Sequence, residues 1–206
     1  MTDEATPAVV VETRYPVAVV RLNRPARRNP LSAAVLEELE TIVAELCARE
    51  DVCAVVFTGS GEAFASGADI REVGALAPES ALEFARRGQR LMNLIDDAPL
   101  LTVAAVNGYC MGGALDLALA CDLRVASPSA VFAHPGARLG IVTGWGGTQR
   151  LPRLVGSARA FEMLLTGRRL TAREAYDAGL VDRLADPPLE RALELAGEWS
   201  KKKCRR

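Results

Sequence analysis

The stretch that most constrains the fold runs from Ala105 to Asp122, AVNGYCMGGALDLALACD. An apolar run, Leu100 to Val106, stops at Asn107-Gly108, and Gly112-Gly113 then opens a second apolar run through Leu115, Leu117 and Leu119. A strand that turns through glycines into a helix leaves the first helical N–H groups without internal partners, and the helix dipole makes that end attractive to negative charge. Glycine at 112 and 113 lets a ligand approach the backbone closely. Asp116 lies one turn inside, where a carboxylate faces the same space. The plainer alternative is a strand–helix turn with glycines for tight packing, which recurs in many α/β folds.

A second stretch, Phe64 to Ile70 (FASGADI), follows the apolar run Ala54 to Phe57 and again places small residues after a buried-strand pattern. Two such loops supply two converging backbone donors, the arrangement of an oxyanion hole.

Around these loops the chain alternates strand and helix signals. Val9 to Glu12 and Val17 to Leu22 read as strands about a turn at Tyr15-Pro16. Ser32 is an N-cap for a helix with Val35, Leu36, Leu39, Ile42, Val43 and Leu46 at a period of about 3.6. Cys53 to Thr58 is a buried strand, and Pro78-Glu79 opens a helix that Pro99 ends. Leu100 to Val106 is continuously apolar, as expected of a strand covered on both faces. Leu123 to Ala126 is a further strand. Val131 to Gly147 is glycine-rich without a helical period and reads as loop with short strand pieces, a place where function is often carried. Ser157 to Leu165 is helical, Thr171-Ala-Arg-Glu174 is a capping box, and Leu189 to Trp199 is a last amphipathic helix before the basic tail Lys201 to Arg206. The alternation predicts an α/β fold with largely parallel strands.

Charge and composition remove several function classes. The net charge of −1 over 206 residues offers no electrostatic case for nucleic acid or an anionic membrane. The acidic start MTDEATPAVVV lacks the order of a signal peptide, and no apolar run approaches the roughly 20 residues of a membrane span. Cys47, Cys53, Cys110, Cys121 and Cys204 form no CxxC pair, and four of them lie in apolar patterns, so buried free thiols in a reducing cytoplasm are expected. One histidine and scattered cysteines predict no metal site.

Five stretches in order, LNRPARRNPLS (22–32), SGEAFASGADIREV (60–73), AAVNGYCMGGALDLALACD (104–122), GWGGTQRLPRLVG (144–156) and LLTGRRLTAREAYDAGLVDRL (164–184), resemble the crotonase superfamily, the enoyl-CoA hydratase/isomerase family. The resemblance implies the crotonase (ClpP-like) fold, a spiral of β-β-α units with peripheral helices, as a single domain over residues 1–206. It implies an acyl-CoA thioester as substrate, with coenzyme A as part of the substrate and no other cofactor, and assembly as a homo-trimer or hexamer. It places the oxyanion hole on the N–H groups of Ala68 and Gly113. It assigns CoA contacts to Arg27, Arg28, Ser66, Ala68, Asp69, Ile70, Arg71 and Gly112. Adjacent arginines suit the phosphates of CoA, although solvated surface arginines are an equal alternative for either one.

The sequence departs from the hydratase pattern at the proton-transfer groups. Where the family pattern has two glutamates, this chain has Asp116, one methylene shorter, and Gly136. His134, two residues earlier, is a candidate substitute, because imidazole is the side chain suited to exchange a proton near neutral pH. The alternative is a structural loop histidine. Tyr109, Cys110 and Thr143 are further polar candidates. The customary C-terminal helices find no match here, which weakens the expected oligomer. The reading is therefore a hydratase-like or isomerase-like enzyme with one of the two family carboxylates. The alternative is a catalytically weak or inactive acyl-CoA-binding protein of the same fold.

Overall fold

The computed structural model describes residues 6–203. The first sheet contains β1 (Val9–Arg14), β2 (Val17–Leu22), β3 (Ala54–Gly59), β5 (Leu101–Val106), β7 (Leu123–Ala126) and β10 (Arg183–Leu184), side by side in that order. Only β1 and β2 are antiparallel; every later pairing is parallel. The second sheet has the order β4 (Ala63–Ala65), β6 (Tyr109–Met111), β8 (Val131–Ala133) and β9 (Leu170–Thr171). Each of β4, β6 and β8 follows β3, β5 or β7 after a short break and pairs in the same spatial order. The short sheet therefore repeats the order of the long one, which is the expected spiral of β-β-α units.

Period-2 alternation explains why the long strands are apolar throughout. Val17, Val19, Ala54, Val56, Val103, Ala105 and Val125 face helix α8 (Pro188–Lys203) through Ala192 and Ala196. Ala18, Val20, Val55, Phe57, Ala104, Val106 and Ala126 face the other way, into the main core. That core is built with α1 (Ala33–Cys47), α3 (Pro78–Asp96) and α4 (Gly113–Ala120). Helix α1 starts as expected, with the Ser32 side chain accepting from the Val35 N–H at 3.2 Å. The remaining helices are α2 (Ile70–Gly74), α5 (Gly147–Val155), α6 (Ser157–Thr166) and α7 (Ala172–Asp177), the last opened by the full Thr171/Glu174 capping box.

The segment read as loop, 131–147, divides into β8, a 3-10 turn at Pro135–Leu139 and an irregular run ending at Gly147, the first residue of α5. Cys53, Cys110 and Cys121 are buried as expected, whereas Cys47, at the end of α1, is half-buried. Cys204 and the end of the basic tail lie outside the described residues. Among the described residues no helix is long and apolar enough to cross a membrane.

Candidate active site

Strands β4 and β6 pair in parallel, with Ala63 opposite Tyr109 and Ala65 opposite Cys110, so the loop after β4 and the turn after β6 emerge side by side. Gly67, at φ +93°, makes the contact: a Cβ there would lie 2.5 Å from the Met111 carbonyl oxygen and 3.1 Å from the Gly113 nitrogen. Gly112, at φ 55° and ψ −123°, turns the chain into α4, a conformation that favours glycine. Leu31 fastens the first loop by donating to Gly67 O at 2.8 Å and accepting from Asp69 N at 3.3 Å. That bridge uses the residues on either side of Ala68 and leaves the Ala68 N–H free. The Gly113 N–H belongs to the first turn of α4 and has no partner within it. Among the described residues no internal hydrogen bond takes up either N–H.

Both N–H groups border a cavity of about 500 Å³, in the size range of small-molecule sites. Its wall is mostly apolar, including Val73, Ala81, Phe84, Ile141, Trp145 and Leu164. Among the residues of that wall only Asp116 and His134 carry ionisable side chains. Asp116, on the first turn of α4, is 1 % exposed, and His134, at the end of β8, is 3 % exposed. Asp116 Oδ2 accepts a hydrogen bond from Thr143 Oγ1. Asp116 Oδ1 lies 3.3 Å from His134 Nε2, close but not aligned for a hydrogen bond. Gly147 closes this end, since a Cβ there would lie 2.1 Å from Asp116 Oδ1 and 2.9 Å from His134 Nε2. The Cys110 thiol is pushed well up from its usual range by burial first and then by the Asp116 charge, so it stays protonated and inert.

Sequence reasoning missed the wall that fixes the donor turn. Trp145 is buried between Gly88 of α3 and Gly113, and a Cβ on either glycine would fall 2.2 Å from the indole. The Phe84 ring backs it at 5.5 Å between centroids. The one sequence hint was Gly88, a glycine inside an otherwise helical pattern. Gly136 lines the same cavity, but its carbonyl accepts from Ile141 N at 2.9 Å. A Cβ at 136 would lie 2.6 Å from the Ile141 carbonyl oxygen, so the loop is folded around a glycine.

The residues expected to hold CoA are divided. Asp69 is already engaged: Oδ1 accepts from Arg71 N at 3.0 Å, capping α2, and Oδ2 accepts from Arg27 Nη2 at 2.7 Å. Arg28 and Arg71 are exposed and have no ion-pair partner among the described residues; the Arg28 guanidinium stands 5.8 Å from the centre of the Tyr109 ring. Ser66 and Ile70 are exposed beside the cavity mouth. Among the described residues no group of three His, Cys, Asp or Glu side chains comes together as a metal site.

Residues 12–205 match the sequence profile of the enoyl-CoA hydratase/isomerase family. YngF of Bacillus subtilis, which carries an enoyl-CoA hydratase/isomerase name, is 45 % identical over 187 residues, 89 % of this chain and 72 % of the relative. The short-chain-enoyl-CoA hydratase of Clostridium acetobutylicum is 38 % identical over 180 residues, 87 % of this chain and 69 % of the relative. The crystal structure of an enoyl-CoA hydratase from Bacillus anthracis superimposes with a TM-score of 0.89 at 37 % identity, over 93 % of this chain and 76 % of that one. With five ordered motifs, the spiral fold and these likenesses in agreement, this chain belongs to the enoyl-CoA hydratase/isomerase family of the crotonase superfamily.

Proposed function

We propose that the chain is an acyl-CoA enzyme of the hydratase or isomerase type that stabilises a thioester enolate. The thioester oxygen sits between the N–H groups of Ala68 and Gly113, and Asp116 handles the proton at the α-carbon. The observation that carries this reading is the pair of unpaired backbone donors at one end of an apolar cavity, with a buried carboxylate one helical turn away. Such donors are aimed where negative charge develops and need no reorganisation during the reaction.

The wall also bears on the acyl group. It holds no lysine or arginine, and its only acid is Asp116. A carboxylated acyl chain would enter unpaired and next to a like charge, which is strongly unfavourable. The acyl group of the proposed substrate is therefore an uncharged hydrocarbon. Arg28 and Arg71, outside the cavity, are the groups that meet the CoA phosphates, with Ser66, Ile70 and Gly112 along the way. A trimer or hexamer belongs to the same proposal, and sedimentation velocity reads it.

The test is a panel of CoA thioesters, 2-enoyl and 3-enoyl, straight-chain and ω-carboxylated, scored for calorimetric binding and for change in the conjugated thioester chromophore. Straight-chain 2-enoyl-CoA is expected to bind and turn over, and the ω-carboxylated members are expected to do neither. Binding without turnover of any member would favour the acyl-CoA-binding alternative, and no binding at all would sink both.

A further inference from the structure

Two buried side-chain atoms among the described residues lack a hydrogen-bond partner, and they are Asp116 Oδ1 and His134 Nε2. An unsatisfied buried polar group is costly, so native proteins keep few. Here both face each other across 3.3 Å on the wall of one cavity. Thr143 takes the other carboxylate oxygen, and Gly147 packs so closely on both unpartnered atoms that a Cβ there would clash with each. Hydrogen bonds that serve catalysis are often long or misaligned before the substrate arrives.

We infer that Asp116 and His134 form one acid–base pair holding a single exchangeable proton between Oδ1 and Nε2, and that His134 is the second proton-transfer group of the enzyme. This rests on the proposed function above. It answers the absence of a carboxylate at position 136, where no side chain fits.

For hydration of a 2-enoyl thioester the steps balance as follows. The pair's single proton passes from His134 Nε2 to Asp116 Oδ1 as the reaction begins. A water lone pair forms the C3–O bond while a water O–H bond breaks and its proton goes to His134 Nε2. The C2=C3 electrons move to give the enolate, whose oxygen the Ala68 and Gly113 N–H groups hold. C2 takes the proton of Asp116 and the thioester carbonyl reforms. The proton taken from water is left on Nε2 and Oδ1 is again free, so the pair is back in its starting form, with one water added overall. The titratable groups facing His134 and its partner are few. Asp116 comes from α4, and the Cys110 thiol from β6 is held protonated. Arg138, on the following turn, is exposed and packs toward Gly167.

His134 is the sole histidine in the chain, so its ring nitrogens can be followed by NMR without assignment. Three readouts on the full chain test the pair. Asp116→Asn should change the His134 ring-nitrogen signals and their pH titration. His134→Gln should lower kcat on 2-enoyl-CoA by about 10²-fold, remove one limb of the pH profile, and leave the Kd of a saturated acyl-CoA within about twofold. The double variant should be no slower than the slower single variant, as for groups that act as a unit. His134→Asn serves as a second variant should the glutamine protein unfold. Unchanged imidazole signals in Asp116→Asn, or a wild-type rate and pH profile in His134→Gln, would overturn the inference while leaving the oxyanion reading intact. A wild-type protein that turns over no thioester would overturn both.

Discussion

Arg124 and Asp116 are both charged and almost equally buried, at 4 % and 1 % exposure, yet the protein treats them differently. The Arg124 guanidinium is fully engaged. It donates to the carbonyl oxygens of Leu180 at 2.8 Å, Cys121 at 2.7 Å and Asp122 at 3.4 Å, and to Asp182 Oδ2 at 2.9 Å. Asp182 Oδ2 also accepts from the Arg124 backbone N–H, so the network fastens β7 to the turn before β10. Asp116 has one partner, Thr143, and its second oxygen faces an equally unpartnered imidazole nitrogen. A buried charge that is fully bonded holds the scaffold together. A buried charge left half-bonded beside a cavity is a candidate functional group. Near-equal burial thus separates into a structural role and a proposed chemical one once each donor and acceptor is followed to its partner.

The largest expected effects separate the two roles. Asp116→Asn keeps the shape and the Thr143 contact but removes the proposed proton-transfer group, and should lower kcat by about 10³-fold, near 4 kcal/mol of barrier. Its stability should change by less than about 1 kcal/mol, because the buried charge removed was only half-bonded. Arg124→Met should do the reverse. It strands three carbonyls and Asp182, and should lower the unfolding free energy by about 3 kcal/mol while the folded fraction keeps kcat/KM. Urea unfolding and steady-state assays on both proteins check this. Equal loss of activity per unit of folded protein in the two would erase the distinction.

A smaller effect distinguishes the oxyanion turn from the helix that supports it. Gly113→Ala and Gly88→Ala each drive a methyl into the Trp145 indole from opposite sides. Overpacking of this kind costs about 1–3 kcal/mol of stability, and both should pay it. Only Gly113 carries the proposed donor, so Gly113→Ala should also lose at least about tenfold in kcat, whereas Gly88→Ala should stay within about threefold. Similar kcat losses in both would place the effect in Trp145 rather than in the donor.

How much of this was legible in the sequence depends on how local each signal is. The Ser32 cap, the Thr171/Glu174 box and the apolar strand runs of β2, β3, β5 and β7 are local, and the structure reproduces them. Strands β4, β6 and β8 have three residues each, too few for a period to register, and they exist because they pair with one another. Helix α5 was hidden behind Gly146-Gly147 at its start and Pro152 inside it. At the candidate site, Ala68, Gly113 and Asp116 could be nominated because their motifs are contiguous in the chain. The Trp145 wedge and the closure of the loop on Gly136 were not, because each joins residues brought together only by folding. From the sequence Gly136 reads as a lost carboxylate; in the fold it is also a position that the Ile141 carbonyl leaves without room for a side chain.

The smallest effect concerns the one bond that Asp116 does make. Thr143 lies in the irregular run before α5, and its hydroxyl donates to Asp116 Oδ2. That bond holds Oδ2 and leaves Oδ1 as the oxygen that faces His134. Thr143→Val keeps the branched shape, removes the donor and adds no charge. A hydrogen bond to a charged group contributes about 1.5–3 kcal/mol, but a carboxylate freed to rotate recovers part of this by turning toward water admitted through the cavity. The expected outcome is a loss of about tenfold in kcat with KM nearly unchanged. Thr143→Ser, which retains the hydroxyl, should restore most of the rate. A serine variant as slow as the valine variant would show that the methyl group, packed against Gly147, matters more than the bond. The contrast with Arg124 would then rest on Oδ1 and His134 alone.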